Sequence, residues 1–552
     1  MKSLVKYLQK HLAGEVTAGS DILQAFATDA SLVGRRPLGA VYVRDERDIR
    51  KTLLFLSQTA IKGKAIPLTI RGGGSDLTGA AVGNGLIMIM PAYLNRLLKV
   101  NDRRSLYRFE AGYELGRLEA FLADRGSFLP PAWGLPSAAT LGGAVANNAS
   151  SKYSTKYGLM TDQIQALRVI LANGEAVEIA KLSRNKVLKK LTLDTFEGDI
   201  YRELDRLFYS EDSPYYYKSS PIFDRKGGET RQLPGYDLAG VCGEDGSLNL
   251  IPLFAGSQGT LGVITEVEVR GRPYNKTPQV LLLRCADVKV CPQLIGEIQA
   301  LEPAAVTMIN GGCFAKLREV APFLLSDFAG LEDSEIVLLV EFDDFSLQRI
   351  YKKVKKIEGI ADGLGVDCEP IKPIEAGANL DRLRSALGLI IADGSAAGRH
   401  VFGGFAGAHI PLGNWVNFYN QARLLFKSHK LEFLALGEIG FNRFSCLPRF
   451  NLQTPTARKR LLKFLDDYAD LVIRHGGRLS LERQEGALLG RFVQAGAGEE
   501  DRQLLETLKK LFDPYNILNP AVKLGAEKVE LSKSLRAEPD WDRFHQHLPR
   551  LS

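Results

Sequence analysis

Cysteine is scarce: six residues in 552, at positions 242, 285, 291, 313, 368 and 446, with no Cys-x-x-Cys spacing. That argues against a disulfide framework, a zinc ribbon and an iron–sulfur cluster within this chain. No uninterrupted apolar run reaches the length of a membrane span. The opening stretch Met1-Lys2-Ser3-Leu4-Val5-Lys6 has no apolar core long enough for a signal peptide, so a cytoplasmic protein is expected. Charge of one sign is not in large excess, with 71 basic against 64 acidic residues. No arginine-rich arm or aromatic–basic module suggests nucleic acid. Repeats and low-complexity segments are absent.

What is present is an ordinary globular composition, 45% apolar and 24% charged, in a chain long enough for two or three domains. Residues 1–35 read as helical, then irregular. Val41–Val43 reads as a strand, Asp45–Thr59 as a helix, and Ala65–Ile70 as a buried strand. Strands follow at Leu86–Met90 and Leu106–Ala111, with a helix at Leu115–Arg125. Ala166–Leu171 and Ala176–Ile179 flank Asn173-Gly174, the signature of a hairpin. Residues 183–248 are rich in charge and tyrosine and read as an insertion. Gly262–Val269 alternates as a strand should. The pattern changes near Pro273-Tyr274-Asn275, and beyond it strands at Gln279–Arg284 and Ile336–Phe342 alternate with helical stretches, including Gln453–Ile473 and Gln503–Leu511.

Three loops are built from small residues. Arg71-Gly72-Gly73-Gly74-Ser75-Asp76-Leu77-Thr78-Gly79 follows a strand. Three glycines let a backbone come close to a ligand, and successive N–H groups form an anion-binding nest. No Gly-Lys-Ser/Thr follows, and no helix opens as in Gly-x-Gly-x-x-Gly. The second block runs from Pro130-Pro131 through Ala139-Thr140-Leu141-Gly142-Gly143-Ala144-Val145-Ala146-Asn147-Asn148-Ala149. It would suit a planar ring lying on bare backbone, but by composition alone the close packing of a helix is the favoured reading. The third is Gly256-Ser257-Gln258-Gly259-Thr260-Leu261-Gly262, leading into a strand. Each alone reads as well as a plain turn. Together they suit an extended cofactor that touches several loops of one domain.

The order and wording of these blocks resemble the vanillyl-alcohol-oxidase/p-cresol-methylhydroxylase flavoprotein superfamily. Within it the chain resembles the FAD-linked D-2-hydroxyacid dehydrogenases, which act on D-lactate, glycolate and D-2-hydroxyglutarate. Closest in wording are the FAD-binding parts of large FAD/iron–sulfur fusion oxidoreductases. The family's Arg-Gly-Gly-Gly-Thr-Ser-Leu-x-Gly is matched by Arg71–Gly79, and its Ala-Thr-Ile-Gly-Gly…Lys-Tyr-Gly by Ala139–Gly143 and Lys156-Tyr157-Gly158. Its Gly-Ser-Glu-Gly-Thr-Leu-Gly-Ile-Ile-Thr-Glu is matched by Gly256–Glu266, and its closing Asp-Pro-x-x-Ile-Leu-Asn-Pro by Asp513–Pro520. Gly235-Tyr236-Asp237-Leu238 also has its counterpart.

The resemblance implies an α+β protein: a p-cresol-methylhydroxylase-type FAD domain of two subdomains (1–272), an α+β cap (273–470), and a C-terminal segment (471–552) returning to the FAD domain. It implies FAD contacts at Arg71, Gly72, Gly73, Gly74, Ser75 and Asp76. Further contacts are implied at Pro131, Ala139, Thr140, Gly142, Gly143, Asn147 and Tyr157, and at Gly259, Gly262 and Ile264. Ser75 stands where some relatives carry a flavin-linked histidine, so noncovalent FAD is expected.

The catalytic pattern departs from the family. The family's Gly-His-x-Gly-Asp-Gly-Asn-x-His holds a metal. Its place is taken by Gly437-Glu438-Ile439-Gly440-Phe441-Asn442-Arg443-Phe444-Ser445, which replaces both histidines. The later Gly-Glu-His-Gly keeps its acid as Glu482 but has Arg483 for the histidine. A serine hydroxyl is a poor zinc ligand, and a guanidinium cannot take a proton. No metal is therefore expected, and an ion cluster of Glu438, Arg483 and Glu482 would occupy its place. Arg384, Arg443 and Arg483 are candidates for gripping an anionic substrate or stabilising a developing anion, with Glu482 beside them. Arg384 reads equally as an exposed helix arginine. His409, in Ala408-His409-Ile410-Pro411, is a candidate replacement base, but a lone histidine beside apolar residues is more often structural, and that reading is favoured.

The expected activity is hydride transfer from a small hydroxy acid to FAD. The electrons would pass to an iron–sulfur protein, a quinone or a cytochrome, with any membrane association peripheral, through that acceptor. The alternatives are a metal-free flavoprotein with another substrate, or a noncatalytic electron-transfer subunit working with a separate iron–sulfur partner.

Overall fold

The structure, a computed structural model, describes residues 2–223, 234–320, 322, 331, 335–371, 400–401, 407–479, 484–525 and 528–536. Arg384, Glu482 and Arg483 lie outside the described residues.

The first sheet is built on apolar strands. Leu68–Arg71 and Gly39–Tyr42 flank Leu86–Ile89 in parallel, and Glu15–Thr17 closes the far edge antiparallel. Leu86–Ile89 is buried at every position, as a parallel strand covered on both faces should be. The helix Glu46–Ile61 begins where Asp45 accepts hydrogen bonds from the N–H groups of Arg47 and Asp48. The second sheet is antiparallel throughout, in the order Leu97–Asn101, Leu106–Glu110, Val263–Arg270, Ile164–Ile170, Ala176–Ala180. The expected hairpin turns at Asn173-Gly174, where Gly174 has φ +86°.

Against the second sheet runs the short helix Leu141–Ala146, capped by Thr140, whose hydroxyl accepts from the N–H of Gly143. Its small residues serve close packing. The N–H of Gly142 donates to the carbonyl of Ala111 at 2.7 Å, and a Cβ at Gly142 would lie 2.6 Å from that of Ala111. Residues 183–248 begin with two helices, Arg184–Leu191 and Phe196–Tyr209.

A third sheet carries the second half of the chain. Its order is Asp367–Ile371, Gln279–Cys285, Ile336–Phe342, Ala305–Asn310, Ala435–Glu438, Arg443–Cys446, Ala408–His409, Arg478–Leu479. Val306, Met308, Val340 and Phe342 face a core shared with the helices Cys291–Gln299, Leu347–Leu364, Trp415–Ser428 and Pro455–Arg474. Strand alternation puts Thr307 and Glu341 on the opposite face.

The chain then returns to the first sheet. The N–H of Leu68 donates to the carbonyl of Ile517 at 2.7 Å, and the N–H of Asn519 to that of Leu68 at 2.9 Å. Residues 517–519 thus extend the first sheet beside the strand that leads into the glycine loop. Asp513 at the end of the helix Glu499–Phe512 fixes this segment by accepting from the N–H groups of Ile517 and Leu518.

Candidate functional site

The three small-residue loops converge on one cavity. Of the residues singled out in the sequence, Gly72, Gly73, Gly74, Ser75 and Asp76 line it from the first loop. Thr140, Gly142, Gly143 and Asn147 line it from the second, and Gly259, Gly262 and Ile264 from the third. Lining residues that the sequence did not single out include Ile70, Ala80, Ala81, Met90, Ala111 and Gln258. Most follow from their neighbours, since they flank or face the three loops.

The first loop presents its backbone to this cavity. Among the described residues, the N–H groups of Gly73, Gly74 and Ser75 have no hydrogen-bond acceptor. Gly73 and Gly74 are buried. Three successive unsatisfied donors in a buried turn call for an anion. A side chain is excluded from the bend, because a Cβ at Gly73 would collide with the carbonyl oxygen of Ala138.

Asp76 lines the cavity, but its carboxylate is already engaged. It accepts from the N–H groups of Thr78 and Ala80 at 2.8 Å and from Asn147 Nδ2 at 3.0 Å. Gln258 completes the network. Its amide donates to Thr78 Oγ1 at 3.2 Å and to Asn147 Oδ1 at 3.1 Å, and accepts from the N–H of Gly486 at 2.8 Å. Asn519 Nδ2 donates to the carbonyls of Ala80 and Gln258, and Thr69 Oγ1 donates to Asn519 Oδ1. One connected network therefore ties all three loops to the C-terminal segment. Gln258 and Asn519 both lie inside the recognised motifs, but their role depends on contacts far apart in sequence.

Arg71, Pro131, Ala139 and Tyr157 do not line this cavity. Arg71 is buried behind the loop, where its guanidinium donates to the carbonyls of Thr28 and Ala81. Burial lowers its pKa to about 10. Close by, burial and the neighbouring Asp76 push the Asp29 carboxyl up to about 6. Pro131 is the middle residue of the buried turn Pro130–Ala132, and the carbonyl of Ala139 receives the N–H of Leu115. Tyr157 donates to Asp343 across to the third sheet at 2.6 Å.

The third sheet docks through the segment that follows the second loop. Lys152 pairs with Glu341 at 2.8 Å, Lys156 with Asp343 at 2.5 Å, and Arg443 Nη1 donates to Ser150 Oγ at 2.8 Å. Cross-strand pairing puts His409 opposite both Arg443 and Arg478. Cross-strand partners share a face, so these three half-buried side chains stand together. Burial, and then the charge of Arg478, lower the His409 pKa to about 4, which keeps the imidazole neutral. Glu438 accepts a hydrogen bond from its cross-strand partner Thr307 at 2.9 Å. Ser445 is buried two residues beyond Arg443 on the same strand. Among the described residues, no three His, Cys, Asp or Glu side chains gather as metal ligands.

Comparison with known proteins agrees with this architecture. Residues 37–180 match the FAD binding domain family, and residues 275–522 match the C-terminal domain of FAD linked oxidases. A D-2-hydroxyglutarate dehydrogenase of Pantoea ananatis is 26% identical over 517 residues, covering 90% of this chain and 49% of the relative. The chain spans about half the length of the first such curated relatives. The glycolate oxidase subunit GlcD of Bacillus subtilis is 21% identical, with 88% of each chain covered. Among solved structures, the 4-ethylphenol oxidase of Gulosibacter chungangensis superposes with TM-score 0.67 at 15% identity, over 96% of this chain and 98% of that one. p-Cresol methylhydroxylase superposes with TM-score 0.66 at 14% identity, over 95% and 96%. At such identity the likeness establishes the fold.

Proposed function

We propose, for a chain that carries an FAD binding domain and then the C-terminal domain of FAD linked oxidases, that it is an FAD-dependent dehydrogenase or oxidase of small hydroxy acids. The observation that carries the FAD assignment is the run of N–H groups at Gly73, Gly74 and Ser75 with no acceptor among the described residues, which fits a diphosphate. None of the cavity-lining residues is a histidine, cysteine or tyrosine, which supports a noncovalent cofactor. When bound, FAD supplies a two-electron acceptor.

The chain's own residues supply the rest. Arg443 and Arg478 present two guanidinium groups on one face of the cap sheet, the chemistry that grips a carboxylate. His409 stands between them as a neutral imidazole and is the base we assign to the substrate hydroxyl; a carboxylate held by the two guanidinium groups would offset the positive charge that lowers its pKa. The histidine base and metal histidines of the resembled family are thus replaced by an arginine–histidine face. The names of the relatives, D-2-hydroxyglutarate dehydrogenase and D-lactate dehydrogenase, suggest the substrate class. The electron acceptor would be an iron–sulfur protein, a quinone or a cytochrome. A second reading, an electron-transfer subunit with a separate iron–sulfur partner, draws on the half-length match to the first relatives.

The test is anaerobic mixing of the flavin-loaded protein with D-lactate, glycolate and D-2-hydroxyglutarate, following flavin absorbance. Bleaching by one acid, slowed in Arg443→Met and His409→Gln at unchanged FAD content, supports the proposal. Absence of bleaching by any acid removes the hydroxy-acid reading and leaves the second.

A further inference from the structure

The helix Leu347–Leu364 buries Ile350, Val354, Ile357 and Ala361 against the cap sheet. What it turns outward is unusual. Leu347 and Phe345 are the two most exposed large apolar side chains among the described residues, at 82% and 72%, and Tyr351 follows one turn after Leu347 at 63%. Single exposed apolar residues need no explanation, but three within seven positions form a patch.

The same stretch is strongly basic. Arg349, Lys352, Lys353, Lys355 and Lys356 all fall in its first three turns, which hold no acidic residue. Helix stability opposes this arrangement. The N-terminal half of a helix favours acidic side chains, and like charges three and four residues apart repel. Local pairing relieves only part of the charge. Lys353 meets Asp344 at 2.9 Å and Lys355 meets Glu358 at 2.8 Å. Arg349, Lys352 and Lys356 are exposed and have no carboxylate partner among the described residues.

We propose that this helix is a docking surface for an anionic lipid bilayer, with Phe345, Leu347 and Tyr351 entering the headgroup boundary and the cations meeting lipid phosphates. Apolar and aromatic side chains beside a dense lysine–arginine face are the composition of interfacial helices. A protein partner fits less well, since the cores of protein interfaces are depleted in lysine. The geometry allows docking without disturbing the cofactor domain. The helix packs on the sheet face of Val340 and Phe342, whereas Glu341, which holds Lys152, points to the other face.

The test is flotation of the full chain with phosphatidylcholine vesicles, with and without about 30% phosphatidylserine. Binding is expected only to the anionic vesicles, with release at high salt. Lys352→Glu with Lys356→Glu should weaken it by about tenfold or more, since each cation near an anionic surface is worth about one kcal/mol. Leu347→Ser should weaken it without changing the salt dependence. An unchanged melting temperature confirms that each variant is folded. The proposal is overturned by no binding, by equal binding to neutral vesicles, or by binding indifferent to these substitutions. Capture by polyglutamate without vesicle binding overturns it in favour of an acidic protein partner.

Discussion

The ammonium of Lys152 lies 2.8 Å from the carboxylate of Glu341, and both side chains are almost wholly buried. Lys152 follows the small-residue loop of the cofactor domain, and Glu341 sits on a central strand of the cap sheet. The ring of Tyr153 lies 4.6 Å from the same ammonium. Four residues on, Lys156 and Tyr157 both reach Asp343. Burial and that carboxylate raise the Tyr157 pKa, so the phenol stays a donor. A short segment after the second loop thus joins the third sheet to the half of the chain that carries the cavity, through the pairs Lys152–Glu341 and Lys156–Asp343.

Lys152→Met should destabilise the protein by about 3–5 kcal/mol, because the buried Glu341 carboxylate would lose the charge of the Lys152 ammonium. Adding Glu341→Gln should recover most of that loss. Denaturant unfolding of the single and double variants measures the coupling, and independent additive losses would show that the pair does not hold the domains together.

Gly73→Ala should abolish retention of FAD through purification, since the new Cβ would push the loop off the Ala138 carbonyl. Gly359→Ala is the control, because nothing lies within 4 Å of a Cβ there. Flavin absorbance per protein separates the two variants, and a flavin-replete Gly73→Ala protein would remove the nest from the cofactor site.

Gln258→Leu should cost roughly 1–3 kcal/mol for each buried polar group it leaves unpaired. Those groups are the N–H of Gly486 and the acceptors on Thr78 and Asn147. The loss should appear both as a lower melting temperature and as faster FAD release, because the network joins the loops that line the cavity.

Two groups, half-buried His409 and buried Asp29, should give opposite responses to acid. His409 has a folded pKa of about 4, below its unfolded value of 6.5. Its contribution is fully present above pH 6.5 and is lost as pH falls toward 4. Asp29 has a folded pKa of about 6, above its unfolded value of 3.8. Its contribution is present below pH 3.8 and is lost as pH rises through 6. Each is worth on the order of 3 kcal/mol. The two nearly cancel between pH 4 and 6.5. His409→Gln should therefore gain stability on acidification, and Asp29→Asn should lose it. Melting temperatures across that range check both signs.

Much of the fold was legible in local sequence. Ile336–Phe342 forms the strand its apolar run predicts, and the helix predicted over Gln453–Ile473 forms as Pro455–Arg474 behind its Thr454 cap. The helix predicted over Gln503–Leu511 begins earlier, at Glu499, because three acidic residues suit its first turn. For the Ala139–Ala149 block, the close-packing reading holds. Gly142 packs on Ala111 and lines the cavity as well. The convergence of the three loops was legible only through the order of their motifs. The contacts that close the site were not. Thr69 meets Asn519 across 450 positions and Lys152 meets Glu341 across 189, and no local pattern encodes pairings at such separations.

The extension of the first sheet by residues 517–519 has a consequence in time. The strand leading into the glycine loop leaves the ribosome roughly 20–90 s before Asn519, at ordinary elongation rates of about 5–20 residues per second. Throughout that interval Leu68 lacks its neighbour, and Gln258, once made, waits a further 228 residues for Gly486. The cavity can reach its finished shape only late in synthesis. Cofactor capture is therefore a closing event in the biogenesis of this protein, and a stalled or truncated nascent chain would expose an incomplete nest.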